Sequence, residues 1–232
     1  MSTYAMRLHG VQVEPYFQRY LDTRPLAPVR GELFTRPDTP ASTEEFFADL
    51  DVDEQAEVLD WLLDVASSIH EASGIESSIN VTPAIVNTER GRHDFLYLAA
   101  STQVPITFEF TELPPEWTDA EANRLLTHIR ERGHTSALDN FVADEASLAS
   151  LGRLQFDAIK IAGDVSSGFD DEDSRTLFER TYQAITDAGV QHVVQGVEAQ
   201  SSFAWLKDCG YTTFQGYWFG IPTPALQLTT RR

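Results

Sequence analysis

FDAIKI (156–161), VVQGVEAQ (193–200) and LKDCGYTTFQGYWFGIP (206–222) decide how this chain folds. Two β-branched runs and one aromatic run end at Lys160, Gln195 and Gln215, with helical sequence between them. This is the repeated strand–helix unit of an α/β protein, in which polar side chains at the carboxyl ends of the strands gather into one site.

Composition bounds the rest. A chain of 232 residues that is 42% hydrophobic can bury one sizeable core, and a single (β/α) barrel suits this length. We read one domain over 1–232, its core spanning about 12–222, with no linker composition and no solenoid repeat. Cys209 is the single cysteine, so no intrachain disulfide forms, and no Cys/His cluster has zinc spacing. No apolar run approaches the length of a membrane span. A soluble protein of the reducing cytoplasm is the expectation. The formal charge of −19, with two lysines against fifteen arginines, argues against general binding to nucleic acid or anionic lipid, because phosphate contacts need clustered cations. A compact anionic ligand stays compatible where a metal or a few arginines reverse the local field.

The alternating stretch 11–22 predicts a strand, and 30–36 a second after the turn TRPLAPV. Ser42 or Thr43 is placed to cap a helix with Glu44 and Glu45 in its first turn. Residues 53–74 form the clearest helix, with Leu59, Leu62, Leu63, Ala66 and Ile69 on one face and Gly74 as the stop. Strands are predicted at 77–81, 106–112 and 135–141, and helices at 119–133 and 173–189.

The strand ends then present Glu32, Asn80, Glu112, Asp139, Lys160, Gln195 and Gln215. Carboxylates and amides are hard oxygen ligands, suited to magnesium, manganese or calcium, and a lysine beside them neutralises charge or orients water. Each residue alone also has a plain structural reading. Glu32 can pair with Arg30 or Arg36, Asn80 can cap a helix before Pro83, Glu112 can end a strand, and Asp139-Asn140 is a usual turn pair.

Their order along the chain resembles the EAL domain family. The family's EALxR is similar to Glu32-Leu33-Phe34-Thr35-Arg36, its NxS to Asn80-Val81-Thr82, and its ExTE to Glu109-Phe110-Thr111-Glu112. LDDFGTGYSSL is similar to residues 138–148, LKID to Ile159-Lys160-Ile161-Ala162, EGVE to Gln195-Gly196-Val197-Glu198, and the closing GCxxxQGYxFxxP to 209–222. The resemblance implies a modified (β/α)8 TIM-type barrel whose first strand runs antiparallel. It also implies hydrolysis of cyclic di-GMP to pGpG, with two magnesium or manganese ions activating water. By position it makes Glu32, Asn80, Glu112 and Asp139 the ligands of the first metal, with calcium a substitute in crystals. It makes Lys160 the residue that holds the water in a catalytic unit with Glu32, and Gln18, Arg36 and Gln215 the ligand contacts.

The sequence departs from the family at the second metal. Where active relatives carry an aspartate and a glutamate, this chain has Asn140 and Gln195. Amide oxygens coordinate without supplying charge, so that site is expected to be lost. The glycine-rich loop is replaced by Val142-Ala143-Asp144-Glu145-Ala146-Ser147, Pro115 replaces a glutamate that steadies it, and Ala162 replaces the aspartate of LKID. These losses fall on one half of the metal site. They point to a degenerate member, non-catalytic and acting through cyclic di-GMP binding or a protein partner, with a weak phosphodiesterase as the alternative.

Overall fold

The computed structural model describes residues 5–142, 144, 147–148, 151–162 and 172–229. Strands β1 (Met6–Leu8), β2 (Val11–Arg19) and β3 (Leu21–Asp22) precede β4 (Arg30–Pro37), and α1 (Thr43–Ala48) and α2 (Val52–Ser73) follow. Next come β5 (Glu76–Val81), α3 (Pro83–Asn87), α4 (Glu89–Ser101), β6 (Ile106–Phe110), α5 (Asp119–Glu131), β7 (Thr135–Phe141) and β8 (Ala158–Ile161). The chain ends with α6 (Glu172–Ala188), β9 (Gln191–Val194), α7 (Gln200–Asp208), β10 (Thr213–Phe214), β11 (Thr223–Pro224) and α8 (Leu226–Thr229).

One sheet carries all the strands. β4 to β10 are parallel neighbours in chain order. β2 pairs antiparallel with β4, and β10 pairs antiparallel with β3, so the β2–β3 segment closes the ring. This is an eight-membered barrel with its first strand reversed. The stretch 11–22 is not one continuous strand. It breaks at Tyr20, where β2 leaves its partner and β3 turns to β10, although Tyr20 N–H still donates to the Arg30 carbonyl at 2.9 Å.

Local sequence sets the helix ends. Ser42 caps α1 in a reciprocal box with Glu45, and Asp51 does the same for α2 with Glu54, which satisfies orphan N–H groups at each start. Gly74 ends α2 at φ 70°, a left-handed turn that costs glycine nothing. The apolar face of α2 packs Leu59, Leu62, Leu63, Ala66 and Ile69 against the outer side of the sheet, all buried with Leu33, Ile79 and Phe108. A second apolar cluster, around Ile159, Ile161, Phe178, Val194, Tyr211 and Phe214, sits behind β8 to β10. Among the described residues no helix is long and apolar enough to cross a membrane.

Candidate functional site

Strand alternation decides which side chains reach the barrel interior. Gln18 and Glu32 are register partners across β2 and β4, and Asn80 and Glu109 across β5 and β6. At β7 the pairing with β8 shifts between Leu138 and Phe141, a bulge that bends the strand at the mouth. Asn140 lies there at φ 54°, a left-handed conformation that asparagine tolerates better than most residues. On the far side, Gln215 N–H donates to the Val194 carbonyl, while its own carbonyl accepts from Val197. The chain passes so close at that point that a Cβ on Gly216 would run into the Val197 backbone.

Lys160 is the centre of the cluster. Its side chain is 1% exposed, and Nζ donates to Glu109 Oε2 at 2.6 Å and Glu32 Oε2 at 2.9 Å, with Asp139 Oδ1 at 3.6 Å. Glu32 also accepts from Asn80 Nδ2 at 2.8 Å and from Gln215 Nε2 at 2.9 Å. Gln215 donates to Gln18 Oε1 at 3.0 Å, and Gln18 donates to the Gly220 carbonyl at 2.9 Å. Gln195 Nε2 donates to Asp139 Oδ1 at 3.1 Å.

This arrangement separates the two glutamates electrostatically. Burial works to raise Glu32, but the Lys160 charge and the Gln215 and Asn80 donors outweigh it, so its carboxyl stays below the ordinary range. Burial dominates at Glu109; Lys160 opposes it while Glu32 and Asp139 reinforce it, and the carboxyl is pushed up to about 7. Burial works against the Lys160 ammonium, yet Glu109, Glu32 and their neighbours carry it well above the usual lysine value.

Six of the seven strand-end residues come together at this mouth: Glu32, Asn80, Asp139, Lys160, Gln195 and Gln215, with Gln18 beside them. Glu112 does not. β6 ends at Phe110, and Glu112 lies exposed two residues beyond it, while Glu109 is 1% exposed and sits inside the cluster. Of the two glutamates, Glu109 and not the expected Glu112 therefore stands in the cluster. In ExTE the two glutamates are three residues apart and so face opposite ways on a strand. Sequence reading also missed Tyr20, whose phenol donates to Glu109 Oε1 at 3.0 Å.

Arg36 reaches the rim. It is exposed, its guanidinium lies 5.3 Å from the Phe34 ring centroid and 6.0 Å from that of Tyr16, and among the described residues no ion pair ties it to Asp38. Together with Gln18, Glu32, Asp139, Asn140 and Tyr217 it lines a cavity of about 560 Å3 above the cluster. Of the aromatic run, Phe219 packs on Phe203 and Phe214, whereas Tyr217 and Trp218 are exposed. Within the altered loop, Val142 is 47% exposed, and Ala143, Glu145 and Ala146 lie outside the described residues.

The donor chemistry fits a hard divalent cation. Glu32, Glu109, Asp139 and Asn80 offer oxygens, and Gln215 Oε1 is buried without a partner. Among the described residues, no three acidic, histidine or cysteine side chains form a ready coordination shell, because Lys160 stands between the carboxylates.

The profile described as "EAL domain" matches residues 3–222. In Escherichia coli K12, PdeN, named a probable cyclic di-GMP phosphodiesterase, is 25% identical over 65% of this chain and 30% of its own length. BluF of the same organism, named a blue light- and temperature-regulated antirepressor, is 29% identical over 64% of this chain and 40% of its own length. The chain thus matches well under half of either relative. The structure of Klebsiella pneumoniae BlrP1 in a manganese and cyclic di-GMP complex superposes with a TM-score of 0.78 at 20% identity, covering 95% of this chain and 58% of that one. The family match spans nearly all the residues, the barrel has its first strand reversed, and acidic and amide side chains converge at its mouth: the chain belongs to the EAL domain family.

Proposed function

We propose that this chain is a receptor-type EAL domain, which binds cyclic di-GMP, hydrolyses it slightly or not at all, and acts on a protein partner. The carrying observation is the pair of neutral amides beside Asp139. Asn140 follows it at the bulge, and Gln195 donates a hydrogen bond to it. A second divalent ion would draw on these two positions, and neither supplies charge. One ion fits, with Glu32, Asn80, Glu109 and Asp139 as its ligands and magnesium or manganese as its identity. Bound there, it would offset phosphate charge and polarise an oxygen, while activation of water by a metal pair needs the second ion. Lys160 keeps the carboxylates paired, and Gln18 and Gln215 order the floor of the cavity. The regulatory name of BluF supports a role exerted through a partner.

Arg36 supplies the anion contact. A ligand with two phosphates approaching a protein of charge −19 needs a local cation, and the planar guanidinium pairs with phosphate through parallel hydrogen bonds. The second reading, a weak metal-dependent phosphodiesterase, is favoured by the complete set of Glu32, Asn80, Glu109, Asp139 and Lys160. Calorimetric titration with cyclic di-GMP, with and without magnesium or manganese, separates the two when product is followed in the same samples. Binding without turnover is expected, and Arg36→Ala should weaken it by at least ~1.5 kcal/mol. Brisk formation of pGpG at ordinary magnesium concentrations overturns the receptor reading. No binding under any condition leaves a barrel whose outer surface acts alone.

A further inference from the structure

We propose that Tyr20 is a positioning residue that fixes the Glu109 carboxylate for the ion, and the inference rests on the one-metal reading above. Three observations carry it. The two oxygens of Glu109 have different partners, Lys160 Nζ on Oε2 at 2.6 Å and the Tyr20 hydroxyl on Oε1 at 3.0 Å. A carboxylate held at both oxygens cannot swing in its plane. The Tyr20 oxygen lies 2.7 Å from Ser78 Oγ. Since a phenol has one proton and Tyr20 gives it to Glu109, Ser78 donates to Tyr20, forming a relay Ser78 → Tyr20 → Glu109.

The third observation is what lies beneath. Tyr20, Ser78, Glu109 and Lys160 line a second cavity of about 440 Å3 in the lower half of the barrel. Barrel interiors are ordinarily filled by layers of bulky branched side chains. Here Ser78, Thr107, Ala137 and Ala158 leave the space hollow. Without the phenol, no packed layer would hold Glu109 from below. Alternation places it: Tyr20 is two residues beyond Gln18 and so faces the same interior, with its backbone pinned to Arg30. Burial, then the Glu109 charge, raises Tyr20 well above its ordinary value, so the hydroxyl keeps its proton as a donor.

Second-layer hydrogen bonds to metal ligands are worth about 10–100-fold in metal affinity. Tyr20→Phe keeps the ring and removes the donor. The expected results are manganese binding weakened about tenfold, an altered Mn(II) electron paramagnetic resonance spectrum, and a melting temperature close to the parent's. Ser78→Ala, which removes only the far end of the relay, should give a smaller loss in the same direction. A metal-free crystal structure of Tyr20→Phe should show Glu109 rotated off its Lys160-bound position or split between two. Unchanged manganese affinity in Tyr20→Phe, with Glu109 in its original place, overturns the proposal. If the parent binds no manganese at all, the one-metal reading fails, and the metal-free position of Glu109 alone then decides the role of Tyr20.

Discussion

The mouth of this barrel has two unlike sides. Along β4 to β8, Glu32, Glu109 and Asp139 stand around one buried ammonium. Along β9 and β10 the corresponding positions are the amides Gln195 and Gln215. The first side is an ionic cluster that holds its shape only while positive charge is present. The second is neutral and stabilised by directional hydrogen bonds to Glu32 and Asp139. On the one-ion reading proposed above, a divalent ion binds the first side, whereas a pair of ions would need both.

The largest test removes the charge on the acidic side. Lys160→Met leaves buried carboxylates without a counter-ion, and such a break costs about 3–5 kcal/mol. Urea denaturation at neutral pH in metal-free buffer should show this loss, and saturating manganese should return part of it. An unchanged midpoint would mean that the cluster does not depend on its lysine.

Behind the mouth, on the outer face of β9, His192 packs between Tyr182 and Tyr211 and should respond to pH. Burial, aided by the Arg24 charge, lowers His192 to about 4 from its ordinary 6.5, and its Nε2 accepts from Thr212 N–H at 3.0 Å, which the charged ring could not do. The unfolded chain takes up the proton first. Stability conferred by neutral His192 is thus complete above pH 6.5 and is lost as the pH falls toward 4, by on the order of 2 kcal/mol. The difference between the parent and His192→Gln, followed by denaturation across that window, should carry this slope. Parallel curves would show that His192 protonates freely in the folded protein.

A third test separates the two glutamates of ExTE. Glu109→Gln should weaken manganese binding at least tenfold, about 1.4 kcal/mol, while Glu112→Gln, at an exposed position, should stay within about 0.5 kcal/mol of the parent. Equal losses at both would restore Glu112 to the site. The smallest change is expected from restoring carboxylates at the two amides beside Asp139. Asn140→Asp with Gln195→Glu should raise the manganese stoichiometry above one with little gain in pGpG formation, because the loop 142–147 keeps its glycine-free sequence. Full turnover in that variant would show that the two carboxylates were all that hydrolysis lacked.

Much of this was legible in the sequence because the signals were local. The α2 stripe, its Gly74 end, the cap at Ser42 and the β-branched runs at 158–161 and 191–194 each specify an element within a few residues. Polar residues at strand ends announced the mouth for the same reason. What failed was phase. Extending β6 to residue 112 put the wrong glutamate inward, since one residue's slip on a strand reverses every side chain. The break at Tyr20 was equally hidden, because an aromatic residue inside an alternating stretch reads as continuing strand.

Composition and order along the chain by themselves determined the family, the α/β barrel, the hard-oxygen character of the site, and the neutral amides at 140 and 195. Only the tertiary structure decided that Glu109 and not Glu112 meets Lys160, that Tyr20 closes the cluster from beneath, and that the lower barrel is hollow. The physical reason is that identity is written residue by residue. Which oxygen meets which proton depends instead on strand register, on where a strand ends, and on ring closure between residues nearly two hundred positions apart, such as Gln18 and Gln215.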